Sequence, residues 1–167
     1  MKKIFFFITI ILFQINYSQG LSESFLKESA KLIIDESKTC IFNTIDKSGG
    51  LSSRIMDPFV TNNGFIVYLV TNPKSRKVQE IKNNPRVSLT FQNKSQDSYV
   101  TIKGRAFLIQ DLDIKEKFWK KQWTPYYKDI DKNALLIKVI PLSMEVVNSS
   151  KGIVGDKETW SPAKITF

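Results

Sequence analysis

Hydrophobic and polar residues along this chain mostly have the spacing that is typical of short β-strands. In three segments they instead have the spacing of an α-helix. The segment 65–70 is rich in β-branched and aromatic residues, as buried strands are, and Pro73 prevents that strand from continuing. Further strands are predicted at 40–45, 51–56, 87–91 and 99–109, with a strand pair or one strand kinked near Pro141 at 134–147. Helices are predicted at 22–37, 76–83 and 114–122. The pattern predicts a mainly β protein with flanking helices.

Glycines mark the tightest predicted turns. Residues 46–50 end in Gly49-Gly50 between two predicted strands, which is typical of a hairpin whose turn needs positive φ angles. Asn62-Asn63-Gly64 predicts the next turn. Gly104 lies inside a long predicted strand, where it indicates a bulge or a tight bend of the sheet.

The segment from Thr71 to Lys77 joins the strand at 65–70 to the helix at 76–83, and it carries two hydroxyls and three cations. Backbone N–H groups at a helix N-terminus attract anions, and Arg76 and Lys77 add charge. One interpretation is therefore a phosphate site. The other is that Ser75 only caps the helix and that the cations form a solvated face.

Composition limits the organisation of the chain. With 167 residues, of which 42% are hydrophobic, one domain at 21–167 is expected. Lys2-Lys3, the apolar run 4–13 and the polar stretch 14–20 have the three-part plan of a secretory signal peptide, with cleavage near 18–20. The prediction is a protein exported to the periplasm or the medium without a stable membrane anchor; an uncleaved N-terminal anchor is the alternative.

Charge and rare residues exclude several classes of protein. The net charge of +9 is spread among acids, so no nucleic-acid partner is expected, although a basic binder of nucleic acid or anionic glycans remains an alternative. The chain contains no histidine, which excludes the usual catalytic triads, histidine-ligated zinc and histidine-ligated haem. Cys40, the only cysteine, begins an apolar strand and is interpreted as a buried structural residue. No metal site is predicted, so any redox chemistry requires an organic cofactor.

Three segments together resemble the pyridoxamine 5'-phosphate oxidase-like family of FMN-binding split β-barrels, and in particular its general stress protein subgroup. They are residues 44–56, residues 68–81 around Ser75-Arg76-Lys77, and residues 84–89. The resemblance implies a Greek-key split barrel that binds FMN. It also implies a homodimer, because each flavin site of the family takes residues from two subunits.

The resemblance also implies roles for particular residues. The threonine and the Ser-Arg-Lys group of the family hold the FMN phosphate, and an arginine on the second strand reaches the phosphate or the flavin. Val70 would contribute only its backbone, and Tyr99 lies on a strand that passes close to the flavin in the family. The implied cofactor-binding residues are Arg54, Val70, Thr71, Ser75, Arg76, Lys77 and Tyr99.

The chain departs from true pyridoxamine phosphate oxidases at two places. Phe59 replaces a lysine of the second strand, and no arginine follows Arg105, so the arginine-histidine pair that grips the substrate is missing. The expectation is a flavin-dependent oxidoreductase that acts on another small molecule. The alternative is a non-catalytic binding protein for a flavin, a deazaflavin or haem, since relatives use all three. Aromatic residues in 118–127 are expected to pack in a core or at a dimer contact.

Overall fold

The structure, a computed structural model, describes residues 21–167, and the predicted signal peptide at 1–20 lies outside this range. The described strands are β1 (Cys40–Ile45), β2 (Leu51–Met56), β3 (Phe59–Val60), β4 (Val67–Thr71), β5 (Arg86–Gln92), β6 (Tyr99–Ile109), β7 (Leu135–Val147) and β8 (Ala163–Thr166). The described helices are α1 (Glu23–Glu36), α2 (Arg76–Asn83), α3 (Leu112–Lys117) and α4 (Ile130–Asn133). Among these helices we find none with the length and apolar content that crossing a membrane requires.

All eight strands belong to one antiparallel sheet that curls into a half-barrel. Their order is β2-β1-β5-β6-β7-β4-β3, and β8 pairs with β7 outside this path. β5, β6 and β7 follow one another, while β4 lies beside β7, which is a Greek-key arrangement. The predicted fold class, mainly β with flanking helices, is confirmed.

The sheet bends sharply where β6 meets β7. The register of this pair shifts between Lys103 and Gly104, as a β-bulge requires. A Cβ atom at Gly104 would lie 2.5 Å from the backbone oxygen of Ile140, so only glycine allows the two backbones to approach this closely. The predicted bulge at Gly104 is therefore present.

The main hydrophobic core lies between the concave face of the sheet and α1. Leu26, Ala30 and Ile33 of α1 are buried at helical spacing, and they pack on strand residues such as Phe42 and Leu89, which are fully buried. Cys40 belongs to this core. Burial, with the charge of Asp57 nearby, raises the pKa of the Cys40 thiol to about 12, so a structural role is the consistent interpretation.

A second, smaller core is built from aromatic side chains beneath the segment 112–133. Phe118 stacks on Tyr68 with ring centroids 3.9 Å apart, and Phe59 meets Phe118 edge to face at 5.8 Å. Trp119 packs edge to face on Trp123 and on Tyr127. The sequence predicts that the aromatic residues in 118–127 pack in a core or at a dimer contact. All of them pack in this core except Tyr126, which is 83% exposed.

The structure corrects several predicted elements. The helix predicted at 114–122 is present as α3 but with other bounds: it begins at Leu112, where the Asp111 side chain caps it, and it already ends at Lys117. A 3₁₀ turn at Lys121–Trp123 follows, because the indole of Trp123 is turned to donate a hydrogen bond to Asp57. The strand predicted at 65–70 is β4, shifted to Val67–Thr71, and β7 runs through Pro141 as one strand. The pattern did not predict β3, α4 or β8.

Lys115 stabilises the segment of chain between β6 and β7. Its side chain is fully buried, and its ammonium group donates hydrogen bonds to the backbone oxygens of Ile130, Asp131 and Ala134 at 2.9 to 3.1 Å. All three N–H donors therefore have partners, which makes burial of this charge tolerable. One lysine thus joins α3 to α4.

Candidate functional site

Hydroxyl and ammonium groups meet where β4 ends and α2 begins. The Oγ1 atom of Thr71 lies 3.0 Å from the Oγ atom of Ser75, and the Nζ atom of Lys77 donates to the same Thr71 oxygen at 3.0 Å. Thr71 is the last residue of β4, and Pro73 stops the strand so that the chain turns into the helix. We call Thr71, Ser75 and Lys77 the Thr71 cluster.

Ser75 occupies the N-cap position of α2, but the prediction that its hydroxyl caps the helix is wrong. The side chain makes no capping hydrogen bond and faces Thr71 instead. Within the first turn the N–H group of Val78 donates to the backbone oxygen of Ser75 at 3.0 Å, whereas the N–H groups of Arg76 and Lys77 receive no serine side-chain oxygen. An anion beside the Thr71 cluster would meet these N–H groups, the positive end of the helix and a lysine together.

Arg76 lies next to the Thr71 cluster and is largely free to move. Its side chain is 77% exposed, and its Nε atom lies 2.9 Å from the Oε1 atom of Glu80, one helical turn away. The N–H bond is not aligned with this oxygen, so Oε1 of Glu80 accepts no hydrogen bond despite its burial. A guanidinium group held this loosely can turn toward an anion at low cost.

Arg54 lies beneath the Thr71 cluster, and its side chain is not exposed at the surface of the protein. Its Nη2 atom donates to Oε2 of Glu80 at 2.9 Å, and its Nη1 atom donates to the Thr44 hydroxyl at 2.6 Å. Thr44 in turn donates to the same Glu80 oxygen at 2.5 Å. The side chain of Arg54 is 17% exposed and that of Glu80 is 4% exposed. β2, β1 and α2 each contribute one residue to this buried network.

The charges of the site shift two pKa values. Burial lowers the pKa of Lys77, and the positive charges of Arg54 and Arg76 lower it further, against the opposing effect of Glu80. Burial alone would raise the pKa of Glu80, but hydrogen bonds from Thr44 and Arg54 outweigh it and hold the pKa below its ordinary value. The site therefore keeps an ionised carboxylate among three basic side chains, those of Arg54, Arg76 and Lys77.

The structure brings together most of the residues that the sequence indicated. Thr71, Ser75 and Lys77 are in direct contact, Val70 is buried directly before them, and Arg76 and Arg54 flank the group through Glu80. Tyr99 is not among these residues: it lines a cavity of about 660 Å³ together with Ile41 and Thr101. Tyr99 makes no contact with the Thr71 cluster.

Sequence reasoning missed Glu80 and Thr44. Glu80 follows Arg76 by four residues, and this spacing places their side chains on one face of a helix. The pairing of Arg76 with Glu80 could therefore have been predicted from the sequence. The contact with Arg54 joins residues 26 positions apart, so the pattern of a single helix could not reveal it. Within residues 21–167 no group of three or more potential metal ligands is present.

An antiparallel sheet curled into a half-barrel, with a helix entering beside a basic strand end, places the protein in the class of split-barrel proteins. A family model described as "Pyridoxamine 5'-phosphate oxidase like" matches residues 27–166. The chain belongs to this family, as the sequence resemblance implied.

Comparisons with individual proteins agree with this assignment. The chain is 25% identical to general stress protein 26 of Bacillus subtilis over 136 residues, which cover 78% of this chain and 94% of that protein. The crystal structure of general stress protein 26 from Bacillus anthracis superposes with a TM-score of 0.69 at 25% identity, covering 85% of this chain and 98% of the other. These proteins match the chain over nearly their full length.

More distant relatives share part of the chain or only the fold. Pyridoxine/pyridoxamine 5'-phosphate oxidase of Escherichia coli O9:H4 is 29% identical over 99 residues, which cover 59% of this chain and 44% of that enzyme. A heme binding protein from Mycobacterium smegmatis has a TM-score of 0.61 at 14% identity, over 73% of this chain and 53% of the other. An F420 reductase has a TM-score of 0.55 at 14% identity, over 68% and 94%.

Proposed function

We propose that this protein is a flavoprotein that binds FMN by its phosphate at the Thr71 cluster and acts as an oxidoreductase on a small molecule. The observation that carries the proposal is the contact of two hydroxyls and one ammonium group, all joined through Thr71 Oγ1, at an uncapped helix N-terminus. A phosphate dianion accepts hydrogen bonds from each of these groups. Membership of the pyridoxamine 5'-phosphate oxidase-like family makes FMN the first candidate.

The donor set fits a phosphate in both number and charge. Lys77 and Arg76 supply two positive charges near the anion, while Glu80 neutralises part of the charge of Arg54 and Arg76. Arg76 is exposed and poorly aligned with Glu80, so turning it toward phosphate loses little. Arg54, which is bound to Thr44 and Glu80, acts through charge and by holding Glu80 in place.

In this proposal the chain binds and orients the cofactor. FMN supplies the transfer of a hydride or of single electrons when it is bound. Arg76, Lys77 and the hydroxyls hold the phosphate, and the Val70 backbone leads from the sheet toward the attached ring. The buried strand behind Val70 excludes water from one side of the site.

Pyridoxamine 5'-phosphate is a poor candidate for the substrate. Phe59, at the position where the oxidases have a lysine, packs on Tyr68 and Phe118 and carries no charge toward a ligand. No arginine follows Arg105 to bind a second phosphate. We expect the FMN-loaded protein to form no pyridoxal phosphate at an enzyme-like rate, and such a rate would contradict this part of the proposal.

A binding protein without turnover is the second candidate. It is favoured by the fold shared with a heme binding protein, while the fold shared with an F420 reductase adds a deazaflavin to the candidate cofactors. The absence of histidine makes haem the weaker choice, and a deazaflavin with a phosphate would use the same Thr71 cluster. Reduction of the bound flavin by a nicotinamide cofactor and its reoxidation by an added acceptor would distinguish an enzyme from a carrier.

We further propose a homodimer in which a second copy covers the outer side of β2. Leu51 and Ile55 on this edge strand are 77% and 74% exposed, an unusual exposure for large apolar side chains on a sheet edge. Leu51→Lys is expected to lower the mass in solution to that of a monomer. Leu142→Lys, at a residue of β7 that is 54% exposed, is the matched control.

Export to the periplasm or the medium is also proposed, on the basis of the first 20 residues alone. Expression of the full chain, cell fractionation and mass determination of the mature N-terminus test it. A full-length protein in the cytosol would contradict it.

The central test is an FMN titration of the wild-type protein and of the double variant Arg76→Ala/Lys77→Ala, followed by calorimetry. Each lost charge-assisted contact is worth about 1.5–3 kcal/mol, so affinity should fall at least a hundredfold. Lys74→Ala/Lys82→Ala removes the same charge from exposed positions of the same loop and helix and serves as the control. Equal FMN affinity of the two double variants would contradict the assignment of the phosphate site to Arg76 and Lys77.

A further inference from the structure

A cavity of about 350 Å³ lies between the turn that joins β1 to β2 and one face of α2. The turn contributes Asp46, Lys47 and Ser48 to its lining. The helix contributes Arg76, Gln79, Glu80 and Asn83, which share one face because of their spacing. No residue of the Thr71 cluster lines this cavity, and its volume suits a small molecule.

One carboxylate oxygen of Glu80 is buried at this cavity without a hydrogen bond. The Glu80 side chain is 4% exposed, and its Oε1 atom lies 2.9 Å from the Nε atom of Arg76, whose N–H bond is not aligned with it. The Oε2 atom, by contrast, accepts hydrogen bonds from Thr44 and Arg54. A buried acceptor without a donor is costly, so a ligand with N–H groups gains affinity at Oε1.

The turn side of the cavity is held firmly, whereas Arg76 can move. Asp46 Oδ1 accepts hydrogen bonds from the N and Oγ atoms of Ser48 at 2.8 and 2.6 Å, and from the Gly50 N–H group at 2.9 Å. These bonds lower the pKa of Asp46, which therefore stays ionised. Arg76 is 77% exposed, so it can turn from Glu80 toward a ligand and open Oε1 to the cavity.

The charges around the cavity balance. Asp46 and Glu80 supply two negative charges, and Lys47 and Arg76 supply two positive ones. A simple anion would face the two carboxylates, and a metal ion or another simple cation would face the lysine and the arginine. A ligand that carries both signs of charge is the best electrostatic complement.

We propose that this cavity binds a small zwitterion, a molecule with a primary ammonium group and a carboxylate, as free amino acids have. The ammonium group donates a hydrogen bond to Oε1 of Glu80 and faces Asp46. The carboxylate accepts hydrogen bonds from Lys47 and from Arg76, which turns toward it. The inference does not require FMN, since the cavity is lined without the Thr71 cluster.

The test is a titration of isotope-labelled protein with glycine, without added FMN, followed through the NMR signals of the Ser48 and Gly50 amides. Both N–H groups bind Asp46 and therefore report on the cavity. We expect shifts that saturate. Trimethylglycine keeps both charges but has no N–H group, so it should bind about tenfold more weakly. Acetate and methylammonium, which carry one charge each, should also bind about tenfold more weakly.

Three variants assign the two ends of the ligand. Lys47→Met should bind glycine about threefold more weakly, because an exposed charge contributes modestly. Lys94→Met removes an exposed lysine from the β5–β6 turn and should bind like the wild type. Glu80→Gln should bind about tenfold more weakly, and circular dichroism checks that it is folded. The comparison of glycine with trimethylglycine needs no variant.

Four results overturn the inference: no saturable shift with glycine, equal affinity of the wild type for glycine and trimethylglycine, acetate that binds as tightly as glycine, and Lys47→Met that binds glycine as tightly as the wild type. The third of these would mean a simple anion site. Because FMN is absent from the titration, a failure of the proposed function leaves this test unaffected.

Discussion

Glu80 of α2 binds Arg54 of β2 with 2.9 Å between Oε2 and Nη2, so that a buried ion pair lies directly beneath the Thr71 cluster. The same carboxylate faces Arg76 through its other oxygen. Glu80 thereby positions Arg54, lies within ion-pair distance of Arg76 and joins the helix that carries the cluster to the sheet. Its burial makes the pair sensitive to the loss of either partner.

Replacing Glu80 with Gln should destabilise the protein and change its response to acid. Breaking a buried ion pair costs about 3 kcal/mol, measured as the free energy of unfolding in urea at neutral pH. The pKa of Glu80 is lower in the folded state, so its contribution is present above the ordinary pKa of glutamate and is lost as pH falls through the lower folded value. Glu80→Gln should therefore flatten the acid part of the stability profile.

Asp35→Asn is the control for this change, because Asp35 forms an exposed pair with Lys31 whose side chains are 59% and 46% exposed. It should cost less than 1 kcal/mol, as surface pairs commonly do. Equal losses in the two variants would mean that the Arg54 pair contributes nothing beyond a surface contact.

Anion binding at Lys77 should be coupled to proton uptake at alkaline pH. The pKa of Lys77 is lowered in the folded protein by burial and by Arg54 and Arg76, and a bound phosphate would raise it again. At a pH between the lowered and the ordinary pKa of Lys77, anion binding requires the uptake of a proton. The affinity for the anion should therefore fall as pH rises. Calorimetry of FMN or inorganic phosphate at pH 9, in buffers with different ionisation enthalpies, measures the number of protons taken up.

Lys77→Arg keeps the charge at every accessible pH, since a guanidinium group does not deprotonate in this range. It should bind without proton uptake and with a weaker dependence on pH. Uptake of the same number of protons by this variant would assign the effect to another group.

Lys115→Met should destabilise the protein, because three backbone oxygens would lose their buried donor. Losing one member of a buried charged network costs about 3 kcal/mol in urea unfolding. Lys121→Met removes an exposed lysine from the same segment and should change stability by less than about 0.5 kcal/mol. Similar stability of the two variants would show that the backbone oxygens of α4 find other partners.

Gly104→Ala tests the bend between β6 and β7. The added methyl group would lie 2.5 Å from the Ile140 oxygen and 2.9 Å from Val139, so the backbone itself must move. We expect a loss of about 1–3 kcal/mol in unfolding free energy. An unchanged midpoint would mean that the two strands can separate here without loss.

Residues with strong local preferences made much of this fold predictable. Pro73 and Ser75 mark the start of α2, and Asn84-Pro85 marks its end, so the predicted bounds 76–83 are those of the structure. The long strand 99–109 was predicted with its bend at Gly104, because only one residue type allows such a close approach. These features depend on steric limits of single residues.

Features that depend on distant partners were not predictable in this way. Lys115 looks like a surface residue of an amphipathic helix, and only the carbonyl groups of α4 explain its burial. α3 ends at Lys117, and the residues after it contact Asp57, which lies 66 positions before Trp123, a contact that local spacing does not reveal. One of the two interpretations had Ser75 capping the helix, yet its hydroxyl lies 3.0 Å from that of Thr71 and makes no capping hydrogen bond.

The hydrogen bonds of Asp57 to Gln122 and Trp123 have a consequence for how the family can diversify. The turn that carries the Thr71 cluster is built by β4 and α2, whereas residues 118–128 are a separate stretch of chain that is attached to the sheet through this carboxylate and through the stacking of Phe118 on Tyr68. Substitutions at exposed positions of residues 118–128 can therefore change the surface of this stretch while the turn between β4 and α2 keeps its own contacts. Asp57 is the residue that such changes must preserve, because Lys120, Gln122 and Trp123 all bind its carboxylate.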